Sequence, residues 1–303
     1  MTKIKAVKII MSGFEGIVNV GSTCYLSAIL QALRQCITFV KAVNIDKDSN
    51  KELLTFLNHP DRLFNPRQLI NSIKEKIPFE IFQENDPSEF LQFYLQAIID
   101  QQKIISSPDM LEPKHNVIVN ANIHWKNAFA KFTFLTPIFF GQIVSQIKCG
   151  NCKSIYQTYE VTQSISVEIE RNLENAISKY FSDIYISDWK CDKCNQSSDM
   201  TTSCKKTIRI PDVLIITINR FSVVNNQKNE DYVDIPKIIQ SKVLKNNIYK
   251  LRAIILHLGS MNSGHYTCLI GNRMYDDETI SKQNPDDVFV GRFAYICVYE
   301  KIF

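Results

Sequence analysis

The chain lacks an excess of charge of either sign, a long apolar run, an internal repeat and a low-complexity tract. Its 303 residues carry 35 Lys and Arg against 31 Asp and Glu, a net charge of +4. The basic residues are scattered, so the electrostatic footprint expected of a nucleic-acid binder is missing. The longest apolar runs, such as residues 213–216, fall far short of the roughly 20 residues that span a bilayer, so no membrane partner is expected. In residues 1–11, Lys3, Lys5 and Lys8 break up the apolar positions and leave no continuous core for a secretory signal, and no export is expected. A disulfide framework fits poorly too, because the nine cysteines are odd in number and four of them fall in two C-x-x-C pairs. A reducing compartment, cytosol or nucleus, fits better.

What remains is an ordinary globular balance, 45% apolar and 22% charged, in a chain long enough to bury a full core. Residues 14 to about 105 carry helix-period patterns, the clearest placing Leu26, Ile29, Leu30, Leu33, Ile37 and Val40 on one face. Asp86-Pro87-Ser88-Glu89 has the marks of a helix start, with Asp at the N-cap, Pro in the first turn and Glu three residues on. From Phe139 onward polar and apolar residues alternate, as in Ile165-Ser166-Val167-Glu168-Ile169, and strands take over. The spacing predicts one short helix near residues 173–181 and strands over 213–218, 249–258, 265–270 and 294–299. Residues 225–231 read as a mobile loop.

Cys24 stands at the entry to the first strong helix, after Gly21-Ser22-Thr23, where Ser22 or Thr23 can cap. A helix N-terminus carries partial positive charge, which favours thiolate over thiol. Its N–H groups can also hold an oxyanion, and Asn19 can add a side-chain donor. A thiol nucleophile needs a base, and the base needs an orienting acceptor. If Gly271-Asn272 is a two-residue hairpin turn, Asp276 faces Thr267 and His265 is its diagonal neighbour on the same face. Asp277 would then point to the opposite face, although a bulge could exchange the two acids, or Asp277 could assist through a water.

Cys149-x-x-Cys152 and Cys191-x-x-Cys194 are the strongest local metal signal, since two such knuckles supply the four thiolates that tetrahedral Zn²⁺ prefers. Four protein ligands leave no open position for water, so this zinc would be structural, with no catalytic cofactor beside it.

Gly16-Ile17-Val18-Asn19-Val20-Gly21-Ser22-Thr23-Cys24-Tyr25-Leu26 with Leu30-Gln31 resembles the Cys box of the ubiquitin-specific proteases. His257-Leu258-Gly259-Ser260-Met261-Asn262-Ser263-Gly264-His265-Tyr266-Thr267 resembles their His box, and Tyr275-Asp276-Asp277 the acidic patch that follows it. The resemblance implies an α+β, papain-like cysteine protease with a helical thumb (about 14–110), a β-rich palm (about 111–137 and 208–303) and zinc-bearing β fingers (about 138–207). Residues 1–13 are then a lead to a single catalytic domain, 14–303. Cys24 becomes the nucleophile, His265 the base, Asp276 its orienter and Asn19 part of the oxyanion hole. Asp86 and Glu89 fall on the acidic pair of a box that reads Gln-Gln-Asp-x-x-Glu-Phe-Leu, which in that family contacts the basic tail of ubiquitin. Capping alone would also explain both.

Ile210-Pro211-Asp212-Val213-Leu214-Ile215-Ile216 and Asn219-Arg220-Phe221 resemble the strand that ends in Lys-Arg-Phe, so Phe221, and Tyr266 beside the base, would wall a channel for the terminal Gly-Gly. Such a channel excludes any residue with a Cβ. The chain departs from the pattern at Ser27, Asn85-Asp86-Pro87, Asn219 and Met274, none of which removes a catalytic group. The expected activity is hydrolysis after the C-terminal glycine of ubiquitin by a monomer with ubiquitin and ubiquitinated proteins as partners. The alternatives are a protease for another ubiquitin-like modifier and an inactive ubiquitin-binding scaffold.

Overall fold

The computed structural model describes residues 16–59, 63–105, 110–129, 131–222, 224–261 and 263–302. The N-terminal lead and Asn262 of the His segment lie outside these residues. In chain order the first part is helical: β1 (Gly16–Ile17), α1 (Cys24–Arg34), α2 (Ile37–Ile45), α3 (Lys51–Leu57), β2 (Leu63–Phe64), α4 (Arg67–Ile73), α5 (Pro87–Ile99), α6 (Asn116–Ala128) and α7 (Thr136–Phe139). Then follow β3 (Gly141–Lys148), β4 (Ile155–Thr162), β5 (Ser164–Val167), α8 (Leu173–Tyr180), β6 (Ile184–Tyr185) and β7 (Thr202–Arg209). The last part holds β8 (Val213–Ile218), β9 (Phe221–Ser222), β10 (Gln227–Lys228), β11 (Ile238–Gln240), β12 (Ile248–Gly259), β13 (Gly264–Ile270), β14 (Arg273–Asp276), β15 (Thr279–Lys282), α9 (Val288–Phe293) and β16 (Ala294–Lys301).

α1 is built from good helix formers, Leu, Ala, Gln and Arg among them, and every one of its residues is buried. A helix covered on all sides belongs in the centre of a fold, and α1 lies between α5 and strands β12 and β13. The apolar face expected to run from Leu26 to Val40 is not one helix. The chain breaks after Arg34, and α1 and α2 meet at 87°, because Leu26 to Leu33 and Phe39 to Val43 pack into different parts of the same core. No single helix among the described residues is long and apolar enough to cross a bilayer.

Eight strands form the main sheet, in the order β15-β14-β13-β12-β16-β8-β5 with β11 also paired to β12. All six residues of β8 are buried, since Val213 and Ile215 pack toward the helices of the first part while Leu214 and Ile216 pack toward α8 and α9. A sheet covered on both faces reads as a continuous apolar run, which is what residues 213–216 show. Glu300 of β16 fastens the helical part to this sheet. It is 1% exposed, its Oε1 accepts from the N–H of Thr38 at 2.7 Å and its hydroxyl at 2.8 Å, and its Oε2 meets Arg252 at 2.7 Å.

The second sheet, β4-β3-β7-β6, is the fingers. The expected boundary needs correction, because residues 164–181 within it belong to the palm. β5 pairs in parallel with β8, and Leu173, Ala176 and Ile177 of α8 join the palm core. Residues 225–231 also differ from the expected mobile loop. Their β10 pairs with β9, and the buried Arg220 holds the segment by donating to the carbonyls of Asn229 and Asp231.

Candidate active site

Cys24 is the first residue of α1, and the loop before it is set by Asn19. The Asn19 Oδ1 accepts from the N–H of Gly21 at 3.1 Å and from the N–H and hydroxyl of Thr23 at 3.2 Å each. Gly21 (φ 126°) and Ser22 (φ 42°) take left-handed conformations in this turn, and the first is open only to glycine at no steric penalty. Neither Ser22 nor Thr23 caps the helix as expected. Thr23 occupies the N-cap without a side-chain cap bond, because its hydroxyl is turned back into the loop to accept from the N–H of Val20 at 3.1 Å. Among the described residues the first turn therefore has no side-chain cap, and Cys24 stands at the partially positive end of the helix.

At the other end of the sequence, β13 and β14 pair through Ile270↔Arg273, Leu269↔Met274 and Cys268↔Tyr275. The turn is Gly271-Asn272, and continuing the register sets Asp276 opposite Thr267. His265 and Asp276 are diagonal neighbours and meet, with Nε2···Oδ1 at 2.6 Å. His265 also interacts with the Cys24 side chain, while its Nε2 is taken up by the carboxylate. These two contacts, the one to Cys24 the larger, push His265 up to about 9 against the opposing effect of burial. The imidazolium is the favoured form.

Asp277 is a correction to the simple alternation of a strand. It does not point away, because φ of 46° turns the chain there and the pleat alternates faces only while the backbone stays extended. The oxygens of Asp276 and Asp277 and a ring nitrogen of His265 lie within 4.8 Å of one another. The Asp277 Oδ2 accepts from Asn19 Nδ2 at 2.8 Å, and burial raises its carboxyl above the usual range while the Asn19 bond and His265 oppose this. The Asp277 carbonyl accepts from the N–H of Ile17 at 2.8 Å. That approach requires glycine at position 16, where a Cβ would lie 2.7 Å from the Glu278 carbonyl oxygen. The nucleophile segment and the acidic segment are thus joined by two bonds, one backbone and one side-chain.

A cavity of about 390 Å³ opens at Cys24, lined also by Glu84, Asn85, Asp86, Phe221, His257, Met261, Ser263, Gly264, Tyr266 and Tyr295. Phe221 and Tyr266 stand in this wall as the sequence suggested. Phe221 packs edge-on against His257 and Tyr295, and Tyr266 lies 4.8 Å from the His257 ring centroid. His257 is 3% exposed and is held down to about 4, by burial first and then by Lys228, so it is neutral. Its carbonyl and that of Gly259 both receive the Lys228 ammonium, at 2.8 and 3.0 Å.

Asp86 lies in the cavity wall but is occupied. Its Oδ1 caps α5 through the N–H groups of Ser88 and Glu89, at 2.7 and 3.2 Å, and its Oδ2 accepts from the Tyr295 hydroxyl at 2.6 Å. Glu89 is exposed on α5 and does not line the cavity. The acid that sequence reasoning missed is Glu84, which does line it. Its signal was its place just before Asn85-Asp86, at the first glutamine of the box the segment resembles.

A family profile described as ubiquitin carboxyl-terminal hydrolase matches residues 15–299. The chain belongs to the ubiquitin carboxyl-terminal hydrolase family. Ubiquitin carboxyl-terminal hydrolase 21 of Rattus norvegicus is 23% identical over 349 residues, covering 95% of this chain and 62% of the relative, and the Homo sapiens protein of that name gives the same figures. Ubiquitin carboxyl-terminal hydrolase 12 of Salmo salar is 24% identical, over 89% of this chain and 82% of the relative. The chain therefore spans about 62% of the length of the first of these relatives. Among solved structures, a yeast SAGA DUB module superposes with a TM-score of 0.74 at 21% identity, over 99% of this chain and 71% of that one. The SAGA Ubp8/Sgf11/Sus1/Sgf73 DUB module bound to ubiquitin aldehyde gives 0.73 at 20%, over 99% and 72%. The fold is the papain-like α+β arrangement of thumb, palm and fingers.

In this member of the family the four paired cysteines come together at the tip of the fingers. Cys149 and Cys152 sit in the β3–β4 turn, and Cys191 and Cys194 in the segment between β6 and β7. Cys149 Sγ is 3.8 Å from Cys194 Sγ, and Cys152 Sγ is 3.6 Å from Cys191 Sγ. A tetrahedral ion with bonds of about 2.3 Å sets its sulfurs roughly 3.8 Å apart, so the cluster fits a zinc-sized ion. The two knuckles share one geometry. In each, the first cysteine carbonyl accepts from the N–H four residues on, at Lys153 and at Asn195, and both of those residues have positive φ.

Proposed function

We propose that this chain is a deubiquitinating thiol hydrolase that cleaves the peptide or isopeptide bond after the C-terminal glycine of ubiquitin. The observation that carries this reading is the constellation of Cys24, His265 and Asp276, drawn from opposite ends of the chain onto one side of a cavity, in a family of ubiquitin hydrolases. The Cys24 thiolate attacks the glycine carbonyl. The second amide hydrogen of Asn19 and the N–H groups at the start of α1 stabilise the oxyanion. The first amide hydrogen stays on Asp277, which fixes the direction of the donor. The His265 imidazolium gives its proton to the departing lysine amine, leaving a thioester. Water then attacks the thioester with neutral His265 as base, and Asp276 holds the ring in the tautomer that faces sulfur. The aromatic wall of Phe221, Tyr266 and Tyr295 fits a Gly-Gly tail in extended form.

Zinc is assigned to the four cysteines as a structural ion. It would supply cross-linking alone, joining two segments of a sheet whose small apolar cluster, Val144 and Ile208, packs with Ala121 of α6. The SAGA module that shares this fold was solved with ubiquitin aldehyde, which supports ubiquitin as the modifier.

The test is labelling by a ubiquitin probe with a thiol-reactive C-terminus, followed by mass. An adduct on Cys24 that disappears in Cys24→Ala and forms slowly in His265→Ala is the expected result. No adduct with ubiquitin but one with a probe built on another ubiquitin-like modifier would overturn the substrate, and no adduct with any probe would overturn the activity.

A further inference from the structure

A second cavity, of about 340 Å³, shares no residue with the one at Cys24. It lies where α6 and α7 meet the end of β7, the turn after residues 242–244 and the end of β16. Three cations stand in its wall, Arg209, Lys245 and Lys301, and among the described residues no acid does. The rings of Trp125, Phe132 and Phe140 supply apolar surface beside them. The Arg209 guanidinium lies over Trp125, with Cζ 4.8 Å from the ring centroid, and donates to the Asn122 Oδ1 at 2.7 Å. Lys245 belongs to an exposed turn, where it and Asn246 both have positive φ, yet its ammonium reaches back to the Ile208 carbonyl at 2.6 Å. Burial first, and Arg209 second, hold that ammonium below the ordinary lysine range. Like charges gathered in a partly desolvated place cost free energy until an anion joins them. Asp212, outside the wall, is raised above the usual carboxylate range by burial, an effect Lys301 opposes, so it offsets at most one of the three charges. A further donor waits in the same wall. Trp125 is 2% exposed and its Nε1–H has no hydrogen-bond partner, whereas a buried indole ordinarily finds one.

We infer that this cavity is a binding site for a small organic anion, a phosphate monoester carried on a planar apolar body. Its volume falls within the range of small-molecule sites, roughly 300–1,000 Å³. A phosphate offers three acceptor oxygens to the planar fork of Arg209 and the two ammonium groups, and charge-assisted bonds of this kind are the strong ones. Lys245 has three N–H donors, of which the Ile208 carbonyl takes one. The three rings then cover the apolar body of the ligand. A carboxylate carries less charge and fewer acceptors, so it gains less from three cations. The site is separate from the Cys24 cavity, and binding there does not depend on what the chain cleaves.

The experiment uses the full chain carrying Trp189→Phe, which leaves Trp125 as its one tryptophan. Phenyl phosphate is titrated at constant ionic strength while Trp125 fluorescence and the thermal midpoint are both read. The expected result is a saturable fluorescence change with a Kd of roughly 1 mM or tighter, and a midpoint that rises with the probe concentration. Inorganic phosphate, which lacks the apolar body, and phenol, which lacks the charge, should each bind about tenfold more weakly or worse, with benzoate between them and phenyl phosphate. Lys245→Gln and Lys301→Gln should each weaken phenyl phosphate about three- to tenfold, the range for a partly exposed charge-assisted contact. Cys24→Ala should bind it as the parent does. The inference is overturned if neither readout saturates, if phenol or inorganic phosphate binds as tightly as phenyl phosphate, or if both lysine variants bind unchanged. Loss of binding in Cys24→Ala would place the probe in the other cavity and overturn it as well.

Discussion

Asp276→Asn separates the two neighbouring acids. The substitution keeps the size of the side chain and its contact with Nε2 but removes the charge. His265 sits at about 9 against an ordinary 6.5, and at 1.36 kcal/mol per pH unit that favours the imidazolium by about 3 kcal/mol. The ring is 41% exposed, so solvent screening reduces this to roughly half. The contact with Cys24 is the larger cause, which leaves Asp276 about 0.5 to 1 pH unit. The sign follows from the proton count. His265 must hold its proton to serve the leaving amine, so activity is lost as pH rises through the value of the bound ring. In Asp276→Asn the alkaline limb of kcat/KM should begin about 0.5 to 1 unit lower than in the wild type. An asparagine also no longer selects the ring tautomer, and kcat should fall on the order of 10²- to 10⁴-fold, as in other triads. The assay is hydrolysis of a ubiquitin coumarin amide between pH 6 and 10. An Asp276→Asn enzyme with near-normal kcat and an unmoved limb, beside an Asp277→Asn enzyme that is dead, would refute the reasoning and give the orienting role to Asp277.

Treatment with a chelator, or replacing Cys149 by serine, should loosen the tip and raise KM for ubiquitin substrates while turnover of short peptides is kept. Trp189, whose ring lies 5.0 Å from that of Tyr156 in the same tip, should report the loosening as a red shift in fluorescence. Glu300→Gln should lower stability by about 1–3 kcal/mol, because a buried carboxylate that receives Thr38 and Arg252 is replaced by a neutral amide. Urea denaturation monitored by circular dichroism measures it, and a change below about 0.5 kcal/mol would mean that this contact does not fasten thumb to palm.

The candidate triad was legible because its parts are local. Cys24 follows a turn that needs Gly21, and a two-residue turn at Gly271-Asn272 fixes the register that sets Asp276 beside His265. The metal cluster was legible for the same reason, since each C-x-x-C is a complete half-site. The helix start at Asp86 and the strand at residues 213–218 also follow from residue type and periodicity alone.

Other features depend on segments far apart in sequence, and no local pattern carries them. The 87° break between α1 and α2 is imposed by the core they share, although the apolar spacing runs through it unbroken. β5 reads like a finger strand, yet it joins the palm because its partner β8 lies about 50 residues later. The loop at residues 225–231 is polar enough to look mobile, but buried Arg220 and Lys228 hold it down. Asp277 turned toward the site rather than away because one backbone angle left the extended region, and a period of two holds only inside it. The sequence by itself determined which groups are available for the proposed chemistry, since the thiol, the imidazole, the acid beside it and the paired cysteines are set by residue type and short spacing. Only the tertiary structure decided how the acids at the cavity are engaged, because Tyr295 reaches Asp86 across 209 residues while Glu84 stands exposed in the same wall.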